Sequence, residues 1–263
     1  MDLSIVIVSW NVRKLLKKCL ESIFKNQGDL KLAVIVVDNA SSDGTTEMVK
    51  NEFPQVALIA NQTNLGFAAA NNEGIKESQG DYILILNPDT EILKDTLPKT
   101  LAFARNLPRP GIVGVRHLNP DLTLQPSVRR FPTFWPLFLT ASKLTKIFPQ
   151  LPALNYYLAK DFAYEKKQIV DQVAGSFMLL ARPLLEQIGL FDENFFLWFE
   201  EVDLCRRAKT AGWPVWYLAE TAIIHHGGQS FGQQLTLKKQ KMFFQSAWRY
   251  LKKHNFNKSD KAH

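Results

Sequence analysis

Cysteine is nearly absent from this chain: two in 263 residues, Cys19 and Cys205, each among apolar neighbours in a stretch that reads as helix. Thiols placed this way read as small core side chains, not a disulfide framework or a metal pair, and they fit a reducing compartment. Long apolar runs are missing too. Nothing approaches the roughly eighteen uninterrupted apolar residues of a membrane span, and the chain opens on a strand pattern, not a secretory leader. The expectation is a cytoplasmic protein. No G-x-G-x-x-G follows the first strand pattern and no G-x-x-x-x-G-K-[ST] occurs anywhere. A dinucleotide oxidoreductase or a P-loop NTPase would therefore lack its phosphate cradle. Internal repeats and low-complexity linkers are also lacking.

What is present suits a large core: 46% of residues are hydrophobic and 22% charged, compatible with one elaborated α/β domain or two small ones. The formal charge of +7 permits nucleic acid, anionic lipid or a polyphosphate substrate as partner, and charge alone does not choose. Its distribution says more. From Thr236 onward eight Lys or Arg face the single acid Asp260, interleaved with Met242, Phe243, Phe244, Trp248, Tyr250 and Leu251. That is a basic, aromatic, amphipathic tail.

Apolar runs at 3–9 (LSIVIVS), 32–37, 56–60 and 82–86 read as buried strands. Helical spacing at 12–26, 44–52 and 66–77 lies between them. Alternation with short connections predicts a mostly parallel sheet with right-handed crossovers. Later strands are expected at 112–115, 173–181, 213–218 and 222–225, and helices at 183–188 and 201–211. The segment 131–157 is rich in proline and aromatics and poorly periodic. In such a sheet ligands bind at the carboxyl ends of the strands. Those ends carry Ser9-Trp10-Asn11, the run from Asp38 and Asn39 to Asp43-Gly44, the run 61–66 with Asn64, and Asn87-Pro88-Asp89.

Pro88 ends the fourth strand, so Asp89 sits in a turn where a hard oxygen can hold a divalent cation beside a diphosphate. Ordinary turn and capping chemistry is the alternative. Asp38 can accept from a nucleobase or ribose, or cap a turn; Asp43, just before Gly44, reads as a helix cap. Gly66 allows backbone to approach a ligand or a helix to pack tightly. In the stretch 191–207, Glu200, Glu201 and Asp203 follow an aromatic run. Acids in a first helical turn suit the helix dipole, but an aromatic wall also raises a carboxyl pKa toward general-base work. His225 and His226 stand in a glycine turn, where an imidazole can complete a cation site or simply face solvent.

Taken in order, SIVIVSWN, VVDNASSDGT, NLGFAAANNEGI, YILILNPDT, VAGSFMLLARPLLEQIGLFDENFFLWFEEVDLCRRAKTAGW and IIHHGGQSF resemble family 2 glycosyltransferases. More narrowly they resemble the bacterial rhamnosyltransferase-like members that build cell-surface polysaccharides. The resemblance implies an α/β GT-A fold, a Rossmann-like mostly parallel sheet with helices on both faces and a C-terminal acceptor-side elaboration. It further implies a nucleotide-diphosphate sugar donor, a divalent cation (Mg²⁺ or Mn²⁺) and inversion at the anomeric carbon. Asn87-Pro88-Asp89 stands where the family carries D-x-D, so Asp89 matches the metal-binding acid and Asn87 is a neutral partner. Glu200-Glu201-Val202-Asp203 occupies the E-D-x-D position, with Glu201 in place of the usual base aspartate and Glu200 as the other choice. His225 matches a late histidine used on metal or diphosphate. Ser9, Asn11, Asp38, Asn39, Asn64, Gly66 and Arg207 complete the implied nucleotide-sugar site, and Asp203 the catalytic cluster.

The implied organisation is one domain over 1–231, its nucleotide-sugar half at 1–116 and its acceptor and catalytic half at 117–231, followed by the basic helix and tail at 232–263. The acceptor is expected to be a saccharide or polyprenyl-linked sugar. The segment 131–157, with Arg129, Arg130, Lys143 and Lys146 beside Phe134, Trp135, Leu137, Phe138 and Leu139, would either meet a bilayer surface or cover the sheet as a flap. Two rivals stand beside this reading. A nucleotidyltransferase should show a glycine- and basic-rich loop after the first strand, and Ser9-Trp10-Asn11-Val12-Arg13 is not one. A non-catalytic nucleic-acid or membrane binder should show stacking aromatics set among basic residues.

Overall fold

The computed structural model describes residues 1–141, 151–227 and 236–256. Its first half alternates as expected: β1 (Leu3–Ser9), α1 (Arg13–Lys25), β2 (Leu32–Asp38), α2 (Thr45–Glu52), β3 (Ala57–Ala60), α3 (Phe67–Glu77) and β4 (Tyr82–Leu86). These four strands pair in parallel in the order β3-β2-β1-β4. Side chains alternate between two cores because successive residues of a strand point to opposite faces. Val6, Val37, Ile83 and Ile85 pack under α3, while Ile5, Ile7, Val36 and Leu84 pack under α1 and α2. Both faces are covered, which is why these strands read as continuous apolar runs. At Gly74 an added Cβ would lie 2.4 Å from Val6 Cγ1; the helix rests on the sheet at a distance only glycine allows there.

The second half is where structure and expectation part. It comprises β5 (Thr90–Ile92), α4 (Thr96–Arg105), β6 (Ile112–Leu118), β7 (Leu124–Gln125), β8 (Val128–Arg129), α5 (Phe134–Ala141), α6 (Pro152–Tyr157), β9 (Gln168–Ile169), β10 (Gln172–Val173), β11 (Phe177–Ala181), α7 (Arg182–Ile188), α8 (Glu200–Thr210), β12 (Val215–His225) and α9 (Thr236–Leu251). The main sheet continues as β4-β11-β6-β12-β5, with β11 antiparallel to both neighbours and β5 antiparallel to β12. The expected strand 173–181 is two pieces. Ala174 N donates to Ser127 O and Asn87 N donates to Ser176 O, so residues 174–176 leave the ladder and form a wall beside Asn87. The two short strands expected at 213–218 and 222–225 are one strand, β12, whose pairing with β6 shifts register between Leu218 and Ala222. A bulge of this kind bends a strand without ending it, and here it carries His225 across to Thr90 of β5.

The poorly periodic segment contains α5 and α6, and the basic tail contains α9 and a π-helical turn, Lys252–Phe256. These elements build a third core: Leu137, Leu154, Tyr157, Phe195, Phe199, Tyr250 and Leu251 are all buried in it. The tail is thus partly structural. Ser246 Oγ donates to Leu197 O at 2.7 Å, Lys253 Nζ pairs with Asp192 at 2.7 Å, and Arg249 donates to Asn194 O. Lys143, Lys146, the Gln229-Ser230-Phe231 end of the histidine motif and the last seven residues lie outside the described residues. Among those described, no helix is long and apolar enough to cross a membrane.

Candidate functional site

A cavity of about 520 Å³ opens at the carboxyl ends of β1, β2 and β4, on the side closed by residues 172–176 and 196–202. That volume lies in the range of small-molecule sites, roughly 300–1,000 Å³. Of the residues expected from sequence, Asn39, Asn64, Gly66, Asn87, Asp89, Glu200, Glu201 and His225 line it together. Ser9, Asn11, Asp38, Asp203 and Arg207 do not line it.

At the β2 end, Asp38 is buried and its Oδ2 accepts from Ser41 N at 3.0 Å, while Oδ1 is sealed from solvent with no hydrogen bond. Asn11, at φ +53°, receives Ser42 N on its Oδ1 at 2.8 Å and donates its own N–H to Ser41 Oγ, so it ties the β1 and β2 loops. Asp43 does cap: its carboxylate accepts from Arg13 N at 2.8 Å and Thr45 N at 3.2 Å, serving the first turns of α1 and α2. Asn39 Nδ2 donates to Gly66 O at 3.1 Å, and Asn64 Oδ1 accepts from Gly66 N at 2.9 Å. Gly66 has φ +86°, and a Cβ there would fall 2.5 Å from Phe196 O. Glycine is required twice over, by conformation and by contact.

Asp89 is 4% exposed, and its Oδ1 lies 3.4 Å from His225 Nε2 without a hydrogen bond. The state of that imidazole follows from its other nitrogen. Gln125 Nε2 donates to Asn119 Oδ1 at 2.9 Å and to His225 O at 3.3 Å, which leaves Gln125 Oε1 as the acceptor 2.6 Å from His225 Nδ1. This network assigns the proton of the neutral ring to Nδ1. Nε2 of that ring then carries the lone pair, and it is the nitrogen that faces Asp89 Oδ1. Behind it, His117 is buried with its Nε2 3.2 Å from Ser176 Oγ, and its ring centroid is 5.7 Å from that of His225. Burial, aided by His225, pushes the His117 pKa down to about 3, so it is a neutral strut.

The opposing wall is the start of α8. Trp198 and Phe199 both take left-handed conformations, at φ +63° and +74°. Two consecutive bulky residues there are strained, each at a cost of about 1–3 kcal/mol. Phe199 is held by Phe243 and Tyr250, with ring centroids 5.4 and 5.7 Å away. The turn aims Glu200 and Glu201 into the cavity, where Oε2 of each is buried with no hydrogen-bond partner. Burial raises the pKa of both, and the Glu201 charge raises Glu200 further; the Arg129 charge partly opposes the rise at Glu201. Asp203 faces the other way. Burial works to raise its pKa, but His254, Arg207 and Lys253 outweigh it and bring it down to about 2. His254 Nε2 and Lys253 Nζ lie 2.7 and 2.8 Å from Oδ1, and Arg207 Nε is 2.8 Å from Oδ2. Arg207 spends its remaining donors on the carbonyls of Ile188, Gly189 and Leu190. Both residues lock α8 to the tail and to the turn after α7, which keeps them out of the cavity.

Sequence reasoning passed over Gln125, His117 and Ser176 as site residues; it named Trp10 only within a strand-end cluster and Phe243 only in the basic tail, and it set Arg129 beside a segment expected to meet a bilayer or cover the sheet. The structure places Arg129 and Phe243 in the cavity lining with Trp10 and Tyr157. Only the pairing of β7 with β6, His117 opposite Gln125, brings Gln125 to His225. No local pattern announces such a contact across 100 residues of chain.

The family model described as glycosyl transferase family 2 matches residues 4–187. Over 213 residues the chain is 30% identical to the N-acetylglucosaminyl-diphospho-decaprenol L-rhamnosyltransferase of Mycobacterium tuberculosis, covering 77% of this chain and 69% of that one. It is 28% identical over 241 residues to the rhamnosyltransferase WbbL of Escherichia coli, covering 86% and 85%. Among solved structures, the mannosyltransferase PcManGT of Pyrobaculum calidifontis in complex with GDP-Man and Mn²⁺ superposes with a TM-score of 0.60 at 18% identity, covering 95% of this chain and 70% of that one. At that identity the likeness concerns the fold, which is GT-A. With the family's model spanning most of the sheet and the cavity at its strand ends, this chain belongs to glycosyl transferase family 2.

Proposed function

We propose that the protein is an inverting glycosyltransferase of cell-surface polysaccharide synthesis that moves a sugar, rhamnose being the first candidate, from a nucleoside-diphosphate donor to a hydroxyl of a lipid-linked saccharide. The observation that carries this reading is the meeting, in one cavity of a family 2 chain, of Asp89 and His225 on one wall with Glu200 and Glu201 on the other. Rhamnose and a polyprenyl-diphosphate acceptor enter from the names of the relatives. The nucleotide would occupy the end formed by Asn39, Asn64 and Gly66, within the half at 1–116, and the acceptor the end formed by the half at 117–231.

A divalent cation fits the donor set. Asp89 Oδ1 is a buried hard oxygen with no hydrogen bond, and His225 turns an Nε2 lone pair toward it. No group of three or more His, Cys, Asp or Glu side chains able to hold a metal exists among the described residues. Two protein ligands with the rest from substrate phosphate is the usual habit of Mg²⁺ at such sites. When bound, the cation offsets charge developing on the leaving diphosphate. The chain's own part is the proton. Glu201 accepts it from the acceptor hydroxyl as that oxygen bonds to the anomeric carbon and the carbon–phosphate-oxygen bond breaks. Burial, with the Glu201 charge added to it, raises the Glu200 pKa further than that of Glu201, so of the two Glu200 is the less suited to act as the base.

A thermal-shift screen of UDP-, dTDP- and GDP-sugars, each with and without Mn²⁺ or Mg²⁺, tests the donor assignment, because a ligand bound only to the native state raises the melting temperature. A shift that needs both one nucleotide and a cation is expected; no shift with any of them removes the assignment. The same reading includes contact with a membrane surface, since the acceptor's tail is lipid. The exposed basic and aromatic residues of α9, among them Lys241, Phe244, Trp248 and Arg249, suit an anionic bilayer. Co-sedimentation with anionic vesicles at low salt, lost at high salt, is expected; protein left in the supernatant at low salt rules this part out.

A further inference from the structure

We infer that Arg129 and the outer face of α5 form the subsite for an amphiphilic acceptor, the guanidinium taking the acceptor's diphosphate and the aromatic face its apolar chain. The inference rests on the glycosyl-transfer reading above and adds the residues that would select its lipid-linked acceptor. Arg129 lines the cavity together with Glu201 and Tyr157, and its guanidinium is 5.8 Å from the centroid of the Tyr157 ring. Among the described lining residues it is the one Lys or Arg. Its neighbour Arg130 is committed elsewhere: it grips Asp161 through two nitrogens at 2.8 and 2.6 Å and stacks on Tyr156. Among the described residues the Arg129 guanidinium makes no hydrogen bond or ion pair, although carboxylates lie in the same cavity. A cation left so at an acceptor mouth suits an anion brought by the ligand, and a guanidinium fork matches phosphate oxygens.

The apolar half of the subsite follows in the chain. After four intervening residues, 130–133, the chain enters α5, whose inner side chain Leu137 is 2% exposed and packs in the core shared with Tyr157 and Phe199. Its outer face presents Phe134, Trp135 and Phe138, exposed by 44, 64 and 44%, with ring centroids 5.5–6.3 Å apart. Three mutually packed, exposed aromatic rings form an apolar ledge on the helix that follows Arg129 in the chain. One charge in the cavity lining and an apolar ledge on the next helix complement a molecule with an anionic head and a hydrocarbon chain. In the proposed function the donor's diphosphate belongs to Asp89 and His225.

Titration calorimetry with farnesyl-diphosphate-linked N-acetylglucosamine, its diphosphate-free farnesyl glycoside, and dTDP with Mn²⁺ tests the division of labour. Arg129→Gln should bind the diphosphate-linked probe about tenfold or more weakly, as expected for a lost charge-assisted pair. It should bind the diphosphate-free glycoside and dTDP unchanged, while Arg129→Lys recovers part of the loss. Trp135→Ala should weaken both farnesyl probes alike. The inference is overturned if wild-type protein binds the two farnesyl probes equally, if Arg129→Gln changes neither, or if its loss falls on dTDP instead. Because dTDP binding with Mn²⁺ is read separately from the farnesyl probes, failure of the acceptor subsite is distinguishable from failure of the glycosyltransferase reading. Arg129 lies on the surface, so both variants should fold.

Discussion

Glu201→Gln should turn over about 10²- to 10⁴-fold more slowly than the wild type, the range a positioned general base contributes, while binding donor normally. Glu201 and Glu200 are adjacent carboxyls in one cavity, and each has an oxygen that is buried without a partner. Glu201 is the more exposed of the two and packs along the backbone of Gly175, 3.5 Å from where a Cβ would stand. Burial raises both pKa values above the ordinary 4.5, Glu200 further because the Glu201 charge adds to the effect. A base must be unprotonated, so kcat/KM should rise with pH through the apparent value of the pair, along an acid limb displaced upward from 4.5. The glutamine variant should lose that limb. Stability should move the other way. A folded-state carboxyl pKa above its unfolded value means the native protein binds the proton more tightly, so stability falls as pH climbs from the unfolded value through the folded one. Glu201→Gln should therefore melt no lower than wild type at neutral pH. Near wild-type turnover in the purified variant would remove Glu201 as the base.

Asp89→Asn should lose cation-dependent donor binding and slow turnover by about 10²-fold or more, since a cation at a leaving group is worth several kcal/mol. The turn should survive, because His226 N donates to the backbone carbonyl of Asp89 at 2.9 Å and not to its carboxylate. Electron paramagnetic resonance of Mn²⁺ titrated into protein with dTDP reads the loss directly. Gln125→Leu offers a graded comparison. It leaves both expected ligands in place but removes the acceptor that holds the His225 proton on Nδ1, and outer-shell changes of this kind cost about 10- to 100-fold in metal affinity. Unchanged Mn²⁺ binding in Asp89→Asn would overturn the metal assignment, and unchanged binding in Gln125→Leu alone would remove only the tautomer argument.

The parallel half of the fold was legible because each of its signals is local. An apolar run of five to seven residues, a helical repeat and a polar break at each strand end specify β1 to β4 and place Asn39, Asn64, Gly66 and Asp89 at one edge. Pro88 halts β4 for a reason intrinsic to proline. The acidic cluster was legible as a group and not by member. In the first turn of a helix, side chains at 201 and 203 point in different directions, and nothing in Glu200-Glu201-Val202-Asp203 says which way the helix is turned.

The tertiary structure decided that orientation through long-range contacts. The tail returns across some fifty residues to place Lys253 and His254 on Asp203, so Asp203 and Arg207 became a lock while Glu200 and Glu201 kept the cavity. The bulge in β12 and the hairpin partner β7 decided that His225 meets both Asp89 and Gln125. By itself the sequence determined the parallel strands β1 to β4, the polar groups at their ends and the family, because those depend on residue type at short spacing. Which carboxylate lines the cavity, which arginine is spoken for and which nitrogen carries a proton depended on packing between distant segments, and only the folded chain brings those together.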